Sequence, residues 1–159
     1  MSSQILSTHV AAALDFRAWT RFLRAHAALT RELSSRLETA HGLSLRDYDV
    51  LVQLYGAPDR RMRRIDLART VILSPSGITR LLEGLERAGW VGKHACESDA
   101  RVTWAVLTDD GARKFEEASV QHRSDVEELF SSRFTGEERD RLAELLDRLP
   151  LVDGGACRT

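Results

Sequence analysis

The stretch that most constrains the fold covers residues 73–90, with the sequence LSPSGITRLLEGLERAGW. It contains both ends of a helix. Ser74 can cap the N-terminus with its hydroxyl, and Pro75 suits the first helical position because its missing N–H needs no partner there. Gly89 follows the last turn, where a left-handed residue helps to satisfy the free carbonyl groups. The pattern therefore predicts one helix over residues 74–89.

The two faces of this predicted helix differ in chemistry. Apolar side chains recur on one side with helical spacing, namely Ile78, Leu81, Leu82 and Leu85. The opposite side carries Ser76, Arg80, Glu83 and Arg87, with Thr79 at its flank. Taken alone, the pattern fits an ordinary amphipathic helix with a solvated back equally well. The neighbouring segments decide between the two interpretations.

A long helix is predicted over residues 9–40. Its apolar stripe has, from Trp19 onward, the three- and four-residue steps of a coiled-coil seam. A helix of this length with a continuous stripe needs a partner along its side. A second copy of the chain is the most economical partner, so we expect a homodimer.

Two further helices precede the 74–89 helix. Ser44 and Asp47 form a weak capping box at the start of the first of them. Apolar positions within residues 60–71 predict a short second helix. A tight turn joins it to the 74–89 helix, and two short helices connected in this way form a helix-turn-helix pattern.

After Gly89 the pattern changes from helical to alternating. Residues 90–96 and 101–107 are rich in β-branched and aromatic side chains, and turn residues separate them, so they predict a hairpin. Thr108 then caps a helix that runs to about Phe130. A capping box formed by Thr135 and Glu138 starts a final helix, which ends at Pro150.

Composition limits the class of protein. The 159 residues suffice for one domain with a core, and no apolar run reaches the roughly 18 residues that a membrane span needs. The two cysteines, Cys96 and Cys157, are far apart in sequence and suggest a reducing compartment, so we expect a cytoplasmic protein. The net charge is −1, yet residues 58–101 hold nine Lys/Arg against six Asp/Glu. A basic middle between acidic arms suits one DNA-facing segment.

This order of elements resembles the MarR family of bacterial transcription regulators over about residues 10–149. The resemblance rests on the sequence SPSGITRLLEGLERAGW at 74–90, the Asp99-Ala100-Arg101 triplet in the hairpin, and the sequence LTDDG at 107–111. One departure lies at Met62-Arg63-Arg64, where such proteins often place a Ser or Thr cap at the start of the third helix.

The resemblance implies a mainly α fold with a small β-hairpin. A winged helix-turn-helix DNA-binding domain would occupy residues 43–108. Long N- and C-terminal helices, in residues 1–42 and 109–150, would form the dimerisation region, and residues 151–159 would be a tail. The implied function is that of a dimeric, sequence-specific repressor with a palindromic double-stranded operator. Helix 74–89 would enter the major groove, and wing 90–107 the minor groove.

The candidate DNA-contacting residues follow from both the pattern and the resemblance. They are Ser74, Ser76, Thr79, Arg80, Glu83, Arg87, Asp99, Arg101, Arg63 and Arg64. With Ser76 beside it, Arg80 lies near the N-terminal end of the helix that reaches base edges, where a bidentate contact to guanine is worth ~1–3 kcal/mol of discrimination. Thr79 suits a phosphate or a thymine methyl group. Ser74 either caps the helix or donates to a phosphate.

Other candidates have competing roles. Glu83 can accept from cytosine N4 or tether Arg80 or Arg87 through helical spacing, and Arg87 suits a phosphate contact or a solvated position. The resemblance supports Arg101 for insertion into a narrow minor groove, with Asp99 orienting it, whereas the alternative is a simple surface turn. Arg60, Arg61, Arg63 and Arg64 are candidates for phosphate contacts or are merely solvated.

A regulator of this kind usually responds to a signal. His26 lies on the apolar stripe near Trp19 and Phe22, so it is either an ordinary core or interface histidine or part of a pocket for a small aromatic effector. Zinc sensing and oxidation of Cys96 are alternatives, although the histidine spacing assembles no metal site. A protein-contact role for the winged helix also remains open. We expect no enzyme, because no catalytic motif or phosphate-binding loop is present.

Overall fold

The computed structural model describes residues 3–71, 75–95 and 102–149, with the side chains of residues 3–15, 75, 76 and 95 excepted. These ranges hold six α-helices and three short strands. The helices are α1 Ser3–His41, α2 Leu45–Gly56, α3 Arg64–Thr70, α4 Pro75–Arg87, α5 Asp109–Leu129 and α6 Gly136–Leu146. The strands are β1 Arg61–Arg63, β2 Val91–Ala95 and β3 Thr103–Leu107. The predicted fold class, a mainly helical winged helix-turn-helix with helical arms, is confirmed.

The predicted caps of α2 and α6 are present. At α2, the Ser44 hydroxyl accepts from the Asp47 backbone N–H at 3.2 Å, and the Asp47 carboxylate accepts from the Ser44 N–H at 2.9 Å. Thr135 and Glu138 form the same reciprocal pair at α6. Each cap satisfies backbone donors that the first turn of a helix leaves without partners. The starts of these helices are therefore fixed by local sequence.

A third strand, β1, joins the predicted hairpin. The sheet is antiparallel in the order β1-β3-β2, and Met62 of β1 lies opposite Ala105 of β3. The short helix predicted within residues 60–71 corresponds to α3, and residues 61–63 before it form a strand that was not predicted. A three-residue strand shows too little alternation to be distinguished from the first turn of a helix. Two helix boundaries also differ from the prediction. Helix α1 begins at Ser3 instead of residue 9, and α6 ends at Leu146 instead of Pro150.

The core lies between α2, α3, α4 and the inner face of the sheet. Its fully buried side chains include Leu51 and Leu54 of α2, Leu67 of α3 and Leu82 of α4. The sheet contributes Val91, Ala105 and Leu107. The apolar side of α4 is therefore fully used in packing, as its sequence pattern predicts. Its polar side is left facing away from the core.

An ion-pair cluster joins α1 to α5. The Arg36 guanidinium donates to the Asp125 carboxylate at 2.9 Å and to the Glu128 carboxylate at 3.0 and 3.1 Å. Asp125 is only 2% exposed, so its charge depends on this pairing. Hydrogen bonding with Arg36 holds the pKa of Glu128 below its ordinary value. The cluster fixes the C-terminal half of α1 against α5.

The predicted stripe on α1 divides into two parts. Leu37, near the C-terminal end, is fully buried within the protomer. Nearer the N-terminal end of α1, four large apolar side chains are between 41% and 65% exposed, namely Phe16, Trp19, Phe22 and Leu23. In the described part of the chain, no helix is long and apolar enough to cross a membrane.

Candidate functional site

Helix α4 presents one buried side and one exposed side. Ile78 and Leu85 are almost completely buried, whereas Arg80, Glu83 and Arg87 are exposed. This division exists because the apolar side closes the core over the sheet and α3. Three of the predicted DNA-contacting side chains therefore share one solvent-facing surface.

Two further predictions concern this surface of α4. Thr79, at the flank of the polar face, is exposed as well. The proposed tether between Glu83 and Arg87 takes another form, because the Arg87 Nε donates to the Glu83 backbone carbonyl at 3.2 Å. The Glu83 carboxylate is thus not the group that holds Arg87. It stays on the exposed surface beside Arg80.

Several predicted contacts lie outside the described residues. These are Ser74 before α4, and Asp99 and Arg101 in the connection between β2 and β3. Ser76 belongs to the first turn of α4, but its side chain is not among those described. Cys96 also falls outside. The roles assigned to these residues remain predictions.

The two arginines at the start of α3 have different environments. Arg63 is exposed and lies opposite Trp104 of β3 in the sheet register. The Cζ atoms of Arg61 and Arg63 are 5.2 and 5.7 Å from the centre of the Trp104 ring, so both guanidinium groups contact one aromatic side chain. Arg64, in contrast, turns toward the interior. Trp104 lies in the predicted hairpin, but its role as a support for these arginines was not predicted from the sequence.

The helix-ending glycine of α4 has the predicted geometry. Gly89 has a φ of 76°, and the N–H of Trp90 donates to the Leu85 carbonyl at 3.0 Å. This arrangement satisfies a carbonyl at the end of α4 and turns the chain into β2. Helix α4 and strand β2 are therefore connected through one left-handed residue.

A cavity of about 730 Å³ lies between α1, α2 and α5. Its wall combines Tyr48 with basic side chains that include Arg31 and Arg46, and its described lining has one carboxylate, that of Asp49. Burial raises the pKa of Asp49, and a hydrogen bond with Gln53 opposes that shift. The volume is within the usual range for small-molecule sites. An excess of positive charge beside an aromatic ring suits an aromatic anion.

One predicted effector residue, His26, lines this cavity. Trp19 and Phe22 lie nearer the N-terminal end of α1 and do not line the cavity. Their rings form a row with that of His26, with 6.3 Å between neighbouring ring centroids. His122 of α5 also lines the cavity, which was not predicted from the sequence. It packs against Tyr48 with ring centroids 4.5 Å apart. No sequence motif relates these two residues, because helix packing alone brings them together.

His122 is a partly buried titratable group of the cavity. Burial lowers its pKa below the ordinary value, and the negative charge of Asp125 acts in the opposite direction. Its Nδ1 atom is buried and has no hydrogen-bond partner among the residues that the structure describes. Across the described residues, no group of three or more His, Cys, Asp or Glu side chains is arranged to hold a metal ion.

The elements described above form a winged helix-turn-helix module, carried between helical arms. A model of the MarR family matches residues 41–102. Among curated proteins, the chain is 30% identical to the HTH-type transcriptional repressor YetL of Bacillus subtilis, over 68% of this chain and 64% of YetL. The chain thus spans just under two thirds of that relative's length.

Two solved structures from Streptomyces coelicolor are also similar. The MarR family regulator Sco3205, solved in complex with DNA, has a TM-score of 0.81 and 29% identity, with 85% of this chain and 84% of that one covered. AbsC has a TM-score of 0.77 and 32% identity, with 81% and 86% covered. The chain belongs to the MarR family of transcriptional regulators.

Proposed function

We propose that this chain is a dimeric repressor that binds a palindromic operator and releases or retains it according to a small-molecule effector. The observation that carries the proposal is the division of α4. Its inner side packs into the core. Its outer side is exposed and carries Thr79, Arg80, Glu83 and Arg87. The similar protein Sco3205 was solved in complex with DNA, and the relative YetL is named a transcriptional repressor. Both similarities support DNA binding and repression as the function of this chain.

Within α4, Arg80 reads base edges in the major groove. It is exposed and lies nearer the N-terminal end than Arg87, as a recognition helix requires. Arg63 binds the phosphate backbone beside α4, because stacking on Trp104 restricts its side chain without removing its charge. Base contacts then supply the sequence preference, and backbone contacts supply most of the salt dependence.

Dimerisation buries the aromatic face of α1. Four large apolar side chains within eight residues are exposed in the protomer, and a face of this kind is rare on a monomeric protein. A second copy of the chain presents the same face, so a two-fold axis brings the two faces together. The two α4 helices then meet successive major grooves of a palindrome.

The effector binds in the cavity between α1, α2 and α5. Arg31 and Arg46 attract an anionic group, and Tyr48 offers a ring for stacking. The cavity wall joins a dimerisation helix to α2 of the winged-helix module. A ligand there changes the relative position of the two parts only by binding one arrangement more tightly than the other.

Binding to the DNA upstream of the chain's own gene tests the proposal. A labelled fragment should shift in the presence of a large excess of unrelated DNA, and footprinting should reveal two half-sites about 10 base pairs apart, one helical turn. The apparent affinity should fall steeply with salt because phosphate contacts release counterions. Equal affinity for the fragment and for unrelated DNA at every salt concentration would contradict sequence-specific recognition.

A further inference from the structure

The three-stranded sheet has an inner face in the core and an outer face turned away from it. Along β3, Ala105 and Leu107 are buried, so the residues that alternate with them belong to the outer face. Directly paired residues of antiparallel strands share a face, so the register adds residues of β1 and β2. The outer sheet face defined in this way consists of Arg61, Arg63, Gly92, His94, Trp104 and Val106.

One aromatic ring holds two arginines of this face. The guanidinium groups of Arg61 and Arg63 lie 5.2 and 5.7 Å from the centre of the Trp104 ring, and both side chains are exposed. Each arginine has therefore already lost part of the conformational freedom that binding a partner would cost. The two guanidinium groups are thus arranged in advance to bind carboxylates, which match their geometry.

The positive charge on this face is only partly balanced. The two carboxylates beside it, those of Asp59 and Asp66, are already paired, at 3.2 and 3.9 Å from an arginine nitrogen. Within the described ranges, Arg63 and the neighbouring Lys93 form no ion pair. The remaining charge is therefore positive, and complementarity favours a partner with negative charge.

Two shallow depressions lie on the outer sheet face. One, of about 390 Å³, is lined by Gly92 and Val106 among others, and the second, of about 320 Å³, lies beside Trp104. Arg61 lines both, so the two are neighbours. At Gly92 a Cβ atom would meet, among the described atoms, only the Val106 carbonyl oxygen at 3.8 Å. The missing side chain of Gly92 therefore leaves room for an apolar group between the cations.

We propose that the outer sheet face is a docking site for an acidic segment of a partner protein. Its carboxylates bind Arg61 and Arg63, and an apolar side chain of the segment packs over Gly92. Tryptophan and arginine are the residues that most often dominate the binding energy of protein–protein interfaces, and this face carries both. An acidic partner without an apolar group, or an apolar one without acid, meets only half of these requirements.

Nucleic acid suits this face less well than an acidic protein segment does. The Trp104 ring already contacts two guanidinium groups, which leaves less of its surface for stacking a base. Helix α4 and the sheet lie on different sides of the core, so the exposed side of α4 and the outer sheet face point in different directions. A protein docked here leaves the exposed side of α4 accessible. The proposal therefore goes beyond the proposed DNA binding and does not depend on it.

Titration of the full-length chain, with its tryptophan indole groups labelled for NMR, tests the proposal. The chain has three tryptophans, and the variant Trp104→Phe identifies the signal of interest. The probe is a short, end-capped peptide of alternating glutamate and phenylalanine, which should shift the Trp104 signal in a saturable way. Peptides of alternating lysine and phenylalanine, or of glutamate and serine, should bind roughly tenfold more weakly or worse, because each lacks one required group.

Two variants separate docking on this face from general attraction. Gly92→Leu places a side chain in the first depression and should weaken binding of the acidic peptide at least roughly tenfold. Arg61→Glu reverses one charge, should weaken binding to a similar extent, and also serves if Gly92→Leu fails to fold. The matched control is Arg141→Glu, which makes the same charge change on the exposed surface of α6. Arg63 is left unchanged because it is also a proposed phosphate contact.

Three outcomes would overturn the proposal. The first is the absence of a saturable Trp104 shift with the acidic peptide at concentrations up to about 1 mM. The second is equal affinity for this peptide in the wild type, in Gly92→Leu and in Arg61→Glu. The third is complete displacement of the bound peptide by a DNA duplex, which would assign the face to nucleic acid. Retention of the peptide by the duplex-bound protein would support a protein partner.

Discussion

The Thr108 hydroxyl donates to the carbonyl oxygen of Gly89 across a distance of 2.7 Å. The same hydroxyl accepts from the Gly111 backbone N–H at 3.0 Å, and the Thr108 N–H donates to the Trp90 carbonyl at 3.1 Å. One residue thus joins the segment that ends α4 to the first turn of α5. The orientation of the proposed recognition helix is thereby tied to α5, part of the proposed dimerisation region.

Gly111 is required at this junction. A Cβ atom at this position would overlap the carbonyl oxygen of Trp90 and crowd the Leu107 side chain. Because backbone cannot move aside as a side chain does, Gly111→Ala should cost about 3 kcal/mol or more of unfolding free energy. Urea unfolding followed by circular dichroism measures the change.

The control for this prediction is Gly136→Ala. Gly136 opens α6, and a Cβ there would meet no atom within 4 Å. We expect it to be neutral or to stabilise the chain by up to about 1 kcal/mol, because alanine restricts the unfolded chain. Similar losses in the two variants would mean that the close approach to Trp90 is not the cause.

Loss of Arg36 should destabilise the joint between α1 and α5. Arg36→Met leaves the Asp125 carboxylate buried, with only the Gln121 amide donating to it at 2.9 Å. An unpaired buried charge is costly, so we expect the melting temperature to fall by roughly 5 °C or more. Arg141→Met removes an exposed pair with Glu144 and should change it by about 1 °C at most.

A double variant identifies the origin of this effect. Asp125→Asn removes the charge that Arg36 compensates. In the Arg36→Met background it should therefore be far less harmful than in the wild type, or even beneficial. If the two substitutions are simply additive in differential scanning calorimetry, the ion pair does not couple the helices.

Stability should depend on pH through His122. Because burial lowers its pKa below the ordinary 6.5, the unfolded chain binds the proton more readily than the folded chain does. The contribution of neutral His122 to the unfolding free energy is complete above pH 6.5, and it is lost as the pH falls through the range just below 6.5.

The phenylalanine variant His122→Phe keeps a ring beside Tyr48 and removes the titration. Its unfolding free energy should therefore fall less than that of the wild type from about pH 7.5 to about pH 5.5. Identical slopes would exclude His122 as the source.

Arg80→Ala tests direct readout. The variant should lose about 1–3 kcal/mol of operator affinity and should no longer distinguish the operator from a copy with the contacted G·C pair exchanged. Fluorescence anisotropy with both duplexes measures this. Arg141→Ala, on the exposed surface of α6, should leave both affinities unchanged. A uniform loss on all sequences would assign Arg80 to a phosphate instead of a base.

Phe22→Asp tests the proposed dimer interface. A carboxylate at this 41%-exposed position would be desolvated in the dimer, so the dimer dissociation constant should rise at least roughly tenfold. Ala28→Asp introduces the same charge on the opposite side of α1 and should have little effect. Sedimentation velocity across a concentration series compares them. A monomeric wild type would contradict the interface directly.

The features that sequence predicts well are those set by neighbours in the chain. The capping pair Ser44 and Asp47, the helix stop at Gly89 and the two faces of α4 all depend on residues within one or two helical turns. Local hydrogen bonds and helical periodicity suffice for these features. The winged-helix order follows from them.

The features that sequence missed depend on packing between distant segments. Strand β1 forms because residues 61–63 pair with β3, which lies about forty residues later in the chain. His122 contacts Tyr48 only because α5 packs against α2. The Nε and Nη2 atoms of Arg64 are buried because α3 packs against the sheet. No local periodicity records these contacts. For the same reason, the stripe on α1 could not be divided in advance into a buried part and an exposed part.

Helix α5 has 21 residues and is held at both ends, by Thr108 near the wing and by Asp125 beside α1. At 1.5 Å per residue these two points are about 25 Å apart. If α5 moves as a rigid rod, a tilt at one end displaces the other end. A tilt of about 5° at the Asp125 end would move the Thr108 end by about 2 Å, most of the length of a hydrogen bond. A small change beside the α1–α2–α5 cavity would then suffice to take Arg80 out of reach of the base that we propose it contacts.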